Sequence, residues 1–150
     1  MTQHPERAFI RAVIEAKRRD VPMHTNPLAA SLGMVLHAAE DGRVTVGFTA
    51  DSRFTQGNGV IQGGILATML DFGMVFAAFS VIPADRTLAT VAQTTSFLRP
   101  AAPGVFTVEA EVERAGRHVV HARAVIRDAA GQTVATATAP LAVVPLPRTP

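Results

Sequence analysis

The 150-residue chain has no cysteine, tryptophan or tyrosine, and its only lysine is Lys17. Without thiols there is no disulfide, no thiolate metal site and no cysteine nucleophile, which fits a reducing compartment. The missing tyrosines and lysines leave little to titrate between histidine and arginine. An isoelectric point of about 10.4 therefore overstates a formal charge of only +2. No basic run exceeds Lys17-Arg18-Arg19, and no aromatic residues interleave it, which argues against nucleic acid as a partner. The first residues, Met1-Thr2-Gln3-His4-Pro5-Glu6-Arg7, lack the basic-then-apolar design of a targeting signal, so a cytoplasmic location is expected.

What is present is apolar: 48% hydrophobic against 17% charged residues. The length predicts a single domain over 1–150 that buries roughly two-thirds of its unfolded surface. So apolar a chain also suits an oligomer. Its organising stretch runs from Asn58 to Phe79, a glycine-rich start followed by turns that are apolar on nearly every side. A helix hydrophobic all round is a buried helix, so the rest should wrap it. Residues 60–79 approach the roughly 20 residues of a membrane span. Asp71, Gln62, Thr68 and the nearby glycines instead fit a helix buried in a globule, with no membrane partner.

On either side, the pattern predicts an amphipathic helix over 5–19, within an N-terminal extension of residues 1–28. Strands are expected over 31–39 and 43–50, a polar loop over 51–59, and further strands over 87–98, 105–113, 119–127 and 132–144, ending in a tail at 146–150. The last four read as a meander. Matching apolar faces across the Ala115-Gly116 turn predicts Glu109 opposite Arg123 and Glu111 opposite His121. The expected fold class is α+β: one curved antiparallel sheet wrapped around the long central helix.

The central stretch also carries the chemistry. Gly63 and Gly64 at a helix start either satisfy tight wrapping or let a ligand reach free N–H groups that can hold a developing oxyanion. Asp71 is either a structural carboxylate or a general base or nucleophile. The two positions lie eight residues apart, roughly 12 Å along a helix. Both groups should stand about 3 Å from one reacting carbonyl. One helix does not deliver both, whereas two antiparallel copies across a twofold do. The spacing predicts a site shared in a homodimer.

The segment Gly59-Val60-Ile61-Gln62-Gly63-Gly64-Ile65-Leu66-Ala67-Thr68-Met69-Leu70-Asp71 resembles the signature of hotdog-fold acyl-CoA thioesterases, closest to the PaaI-like and 4-hydroxybenzoyl-CoA thioesterase group. Thr90-Val91 through Ser96-Phe97-Leu98-Arg99-Pro100-Ala101 resembles that family's next strand, and Ala115-Gly116-Arg117 its later hairpin. The likeness spans about residues 30–145. It implies a homodimer, paired further as a dimer of dimers (a homotetramer), that hydrolyses acyl-CoA. Coenzyme A enters as part of the substrate, with no separate cofactor. The resemblance gives Gly63 N–H the thioester carbonyl and Asp71 of the other subunit the role of nucleophile or base. Gln56 matches a residue that holds water or the carbonyl, and Thr90 one that positions the acid or water.

The family's usual His of His-Gly-Gly is Gln62 here. Glutamine donates a hydrogen bond but cannot be cationic or shuttle a proton. Activity is expected to survive with an altered substrate preference; reduced or absent activity is the alternative. Arg99, Arg114, Arg117 and His118, expected together at strand ends, are either ordinary surface charge or the anchor for coenzyme A phosphates. Arg123 is expected to pair with Glu109. His4, His24 and His37 have no metal-ligand spacing, so no metal is expected. Two competing functions remain: a non-catalytic acyl-CoA-binding protein, and a hotdog enoyl or hydroxyacyl thioester hydratase, which needs the histidine that Gln62 replaces.

Overall fold

The computed structural model describes residues 3–147, so the first two residues of the expected extension and the last three of the expected tail lie outside the described residues. The central helix α3 spans Gly63–Phe79, with Gln62 as its N-cap residue. Around it, in chain order, stand α1 (Pro5–Glu15), β1 (Val21–Pro22), α2 (Pro27–Ser31), β2 (Val35–Glu40) and β3 (Arg43–Ala50). After α3 come β4 (Arg86–Thr90), β5 (Thr94–Phe97), β6 (Gly104–Ala115), β7 (Val119–Arg127) and β8 (Thr133–Pro145). The strands form one eight-stranded antiparallel sheet in the order β1-β2-β3-β6-β7-β8-β4, with β5 also on β8. A curved antiparallel sheet around one apolar helix is the hotdog fold.

The alternation in each strand decides which face meets α3. Phe106, Val108 and Ala110 of β6, and Val120, Ala122, Ala124 and Ile126 of β7, are buried against the helix. Contact is close at Gly73, where an added Cβ would stand 2.6 Å from the Val108 Cγ1 and 3.2 Å from the Ala110 Cβ. Only glycine lets helix and sheet approach so nearly. On the other flank α1 buries Ile10 and Val13 and sets the Phe9 ring edge-on to Phe76. Arg7 and Arg11 donate to the Ile82 and Ser80 carbonyls at 2.9 and 3.0 Å, where the C-terminal end of a helix attracts cations. The Ser80 hydroxyl accepts from Gly42 N–H at 2.7 Å, pinning that end to the β2–β3 turn.

The structure departs from the sequence expectation in five places. The first helix ends at Glu15 rather than 19, because Lys17 adopts φ 51°, outside the helical region. The expected 31–39 strand begins only at Val35; before it Asn26 caps α2 through Leu28 N–H and Ala29 N–H, with Pro27 in the first turn. The 87–98 strand is broken after Thr90 and resumes at Thr94. Only β6, β7 and β8 meander; β4 and β5 cross to the far side of β8, while β3 lies beside β6.

The hairpin register is shifted by two residues. Glu109 stands opposite Val125 and Glu111 opposite Arg123, with a bulge before Arg114, which faces His121. Arg123 therefore pairs with Glu111, which Arg43 also holds at 3.1 Å, and not with Glu109. A two-residue slip keeps every side chain on its own face, so alternation cannot detect it.

Candidate active site

Helix α3 is not covered evenly. Leu66, Met69, Leu70, Gly73, Met74 and the run from Phe76 to Phe79 are buried, whereas Gly64 is exposed and Ala67, Thr68, Asp71 and Val75 are only half-buried. Spaced at three and four, these form one open stripe along the helix. Beside it runs the outer edge of the sheet, β4 and β5, with Val91, Phe97 and Leu98 from 53 to 65% exposed. The two run antiparallel: Phe97 meets Gly63, Gln93 meets Ala67, and Thr90 meets Asp71.

Asp71 lies in the middle of this stripe. Thr90 donates its hydroxyl to Asp71 Oδ1 at 2.8 Å. Burial pushes the carboxyl above its usual range, and the Thr90 hydrogen bond pulls it part of the way back. No charged side chain contributes to the shift. A carboxylate so placed is a stronger base than one in water, on the single face of α3 that a substrate or second chain can reach.

At the start of the helix, neither Gly63 N–H nor Gly64 N–H donates to an acceptor among the described residues. They are the free first-turn donors that carry the positive end of the helix dipole. A Cβ on Gly63 would stand 3.3 Å from the Phe97 ring, which thus lies against this turn, while nothing stands within 4 Å of the Cβ position at Gly64. Gln62 is exposed and makes no side-chain capping bond. Gln56 turns its side-chain oxygen back to Asn58 N–H at 2.9 Å, within the loop before α3.

The four expected phosphate-binding residues do not form one group. Arg117 and His118 line a cleft of about 570 Å³ with Ile82, Asp85 and Arg86. Arg114 stands in the neighbouring bulge. Arg99 bonds Gln132 at 2.8 Å beyond the opposite end of β7, roughly 30 Å away by strand rise. The expectation failed because strand ends adjacent in sequence type alternate between the two rims of a sheet. Arg86 was missed; it follows Asp85 in the link from α3 to β4, and a lone arginine there gives no sequence signal. Gln93 was missed for the same reason. A roomier groove of about 770 Å³ runs over the outer sheet face past Thr45, Glu109, Arg123 and Thr136, on the side away from Asp71.

With that geometry in place, kinship becomes informative. The thioesterase superfamily profile matches residues 58–135, from just before α3 to the start of β8. A Saccharolobus solfataricus protein, provisionally named an esterase, is 34% identical over 98 residues, covering 65% of this chain and 69% of its own. A thioesterase family protein of Silicibacter pomeroyi has 32% identity and a TM-score of 0.76, covering 81% of this chain and 91% of that one. The Escherichia coli PaaI protein from the phenylacetic acid degradation operon superposes with a TM-score of 0.75, over 95% of this chain and 96% of its own, at 22% identity, a likeness of fold. The chain belongs to the thioesterase superfamily. Within it, the chain is PaaI-like, as the Gly63–Asp71 segment led one to expect: a Ralstonia eutropha protein provisionally named a thioesterase, related to phenylacetic acid degradation, has 30% identity and a TM-score of 0.76, covering 80% of this chain and 92% of that one. Among the described residues no helix is long and apolar enough to cross a membrane.

Proposed function

We propose that the protein hydrolyses acyl-CoA thioesters to free acid and coenzyme A in a site assembled from two copies of the chain. The observation that carries this reading is the Asp71 carboxylate, raised in pKa by burial, held by Thr90, and set on the uncovered stripe of α3. The free Gly63 N–H lies roughly 12 Å away on the same helix, too far to share a carbonyl. The open β4–β5 edge, with its exposed Val91, Phe97 and Leu98, offers the surface for an antiparallel second copy. In that pair the Gly63 N–H of one copy holds the thioester oxygen as it becomes anionic, and Asp71 of the other acts on the carbonyl carbon. As a base, Asp71 takes a proton from water, the hydroxide adds to the carbon, and the C–S bond breaks with the proton passing to the thiolate. As a nucleophile, it displaces the coenzyme A thiolate to form an anhydride; water then opens the anhydride, frees the acid and the Asp71 carboxylate, and supplies the proton that the thiolate takes up. The cleft of Arg86, Arg117 and His118 suits the phosphates of coenzyme A. Gln62 is free to donate to the substrate carbonyl.

The test is thiol release across acyl-CoAs of varied length and aromaticity, followed by Asp71→Asn on the best substrate. The variant should lose about 10²–10⁴-fold in kcat. Unchanged turnover would sink the proposal. Because Gln62 stands where a histidine is usual, a second reading is a protein that binds acyl-CoA without cleaving it. Saturable binding with no thiol released from any member of the panel would favour that reading.

A further inference from the structure

We propose that Gln93 is a positioning residue for Asp71, holding the turn of α3 that carries the carboxylate against the break between β4 and β5. The inference rests on the reading of Asp71 as the reacting carboxylate. Residues 91–93 interrupt the edge strand, and within them Val91 and Ala92 are exposed while Gln93 is half-buried. The Gln93 side chain reaches α3. Its Nε2 donates to the Ala67 carbonyl at 3.0 Å and to Thr95 Oγ1 at 2.9 Å, which uses both of its hydrogens.

The acceptor is what gives the contact its meaning. Ala67 lies inside a regular helix, where the carbonyl of residue i already accepts from the N–H of residue i+4. The residue four on from Ala67 is Asp71. The carbonyl has no unmet need for a second donor, so Gln93 does not serve to satisfy it. It fixes the helical turn that ends on the Asp71 backbone. Three residues earlier in the same segment, Thr90 binds the Asp71 carboxylate itself. The end of β4 and the break that follows it thus act on the acid twice, directly at its side chain through Thr90 and, through Gln93, at the turn that ends on its backbone. Misplacing a reacting group by about 1 Å costs on the order of 10²-fold in rate, so a neutral side chain acting only on geometry can matter.

Gln93→Met keeps length and volume and removes both donors. On hexanoyl-CoA or phenylacetyl-CoA, whichever the native protein turns over faster, kcat should fall about 10-fold or more with KM nearly unchanged. The acid limb of the pH profile should move upward as the Thr90 contact loosens. Thr95→Val, which spares the bond to Ala67, should keep kcat near the native value. If Gln93→Met does not yield folded protein, Gln93→Glu loses the bond to Ala67 and offers the Thr95 hydroxyl, which now accepts from Gln93, an oxygen to donate to instead; the same fall in kcat is expected. Native kcat and pH profile in Gln93→Met, beside an inactive Asp71→Asn, overturn this inference alone. So does a Thr95→Val loss equal to that of Gln93→Met, since the amide would then act only within the strand break. An active Asp71→Asn, or no turnover of either thioester by the native protein, overturns the functional reading with it.

Discussion

The two halves of α3 share one sequence character and have opposite surroundings. The C-terminal half closes over completely from Phe76 to Phe79: these residues are buried, α1 packs across them, and Arg7, Arg11 and Ser80 hold the end. The N-terminal half is closed only toward the sheet. Its other side, from Gly64 to Asp71, meets the open β4–β5 edge. The difference teaches that an all-round apolar helix need not be wrapped all round by its own chain. Where the covering stops, the apolar surface is available to a second copy or a ligand, and there Asp71 lies.

Glycine substitutions sharpen this contrast most strongly. Gly73→Ala, on the closed face, would drive a methyl group to within 2.6 Å of Val108, and should cost about 1–3 kcal/mol in thermal or denaturant unfolding. Gly64→Ala, with nothing within 4 Å, should leave stability unchanged or raise it by up to about 1 kcal/mol while lowering thiol release. Equal destabilisation by both would dissolve the distinction between the faces.

A smaller effect is expected at Thr90. Its hydrogen bond favours the ionised form of Asp71 against burial, which favours the protonated one. If the ionised form reacts, kcat/KM rises with pH through a pKa above the ordinary aspartate value. Thr90→Val should then shift that rise to still higher pH, read from the profile of kcat/KM. A shift toward acid would reverse the assignment.

The smallest effect belongs to the outer face of the sheet. Glu111→Gln removes the partner that Arg43 and Arg123 share, leaving them Glu40 and Glu113 at 3.9 and 3.7 Å, whereas Glu109→Gln removes no ion pair among the described residues, so only the first should lower the melting temperature, and by little. Equal melting temperatures for the two variants would leave the observed register without energetic consequence.

The contrast between halves also marks how far the sequence was legible. The helix, the strands that alternate cleanly and the importance of Asp71 could be read from periodicity and from one carboxylate in an apolar run. Gly63 gained its meaning from its offset to Asp71 and from the family likeness. The hairpin register could not be read, because a two-residue slip preserves both faces and only the bulge before Arg114 distinguishes the pairings. The break at 91–93 was hidden in a threonine-rich run with no apolar alternation to interrupt, and Gln93 was hidden with it. Arg99 was misplaced because which rim a strand end occupies depends on sheet order, and β4 and β5 pair with β8 rather than with β6.

That break has a consequence for self-association. An open edge strand is a template that any extended chain can copy, and a long uninterrupted one invites stacking without end. Here the free edge is offered as two short pieces, of five and four residues, separated at Val91–Gln93. A second copy that met it antiparallel about a twofold would use up both edges at once. Pairing of this kind stops at two. The break that brings Gln93 to the turn of Asp71 can therefore also set the number of chains that meet along this edge.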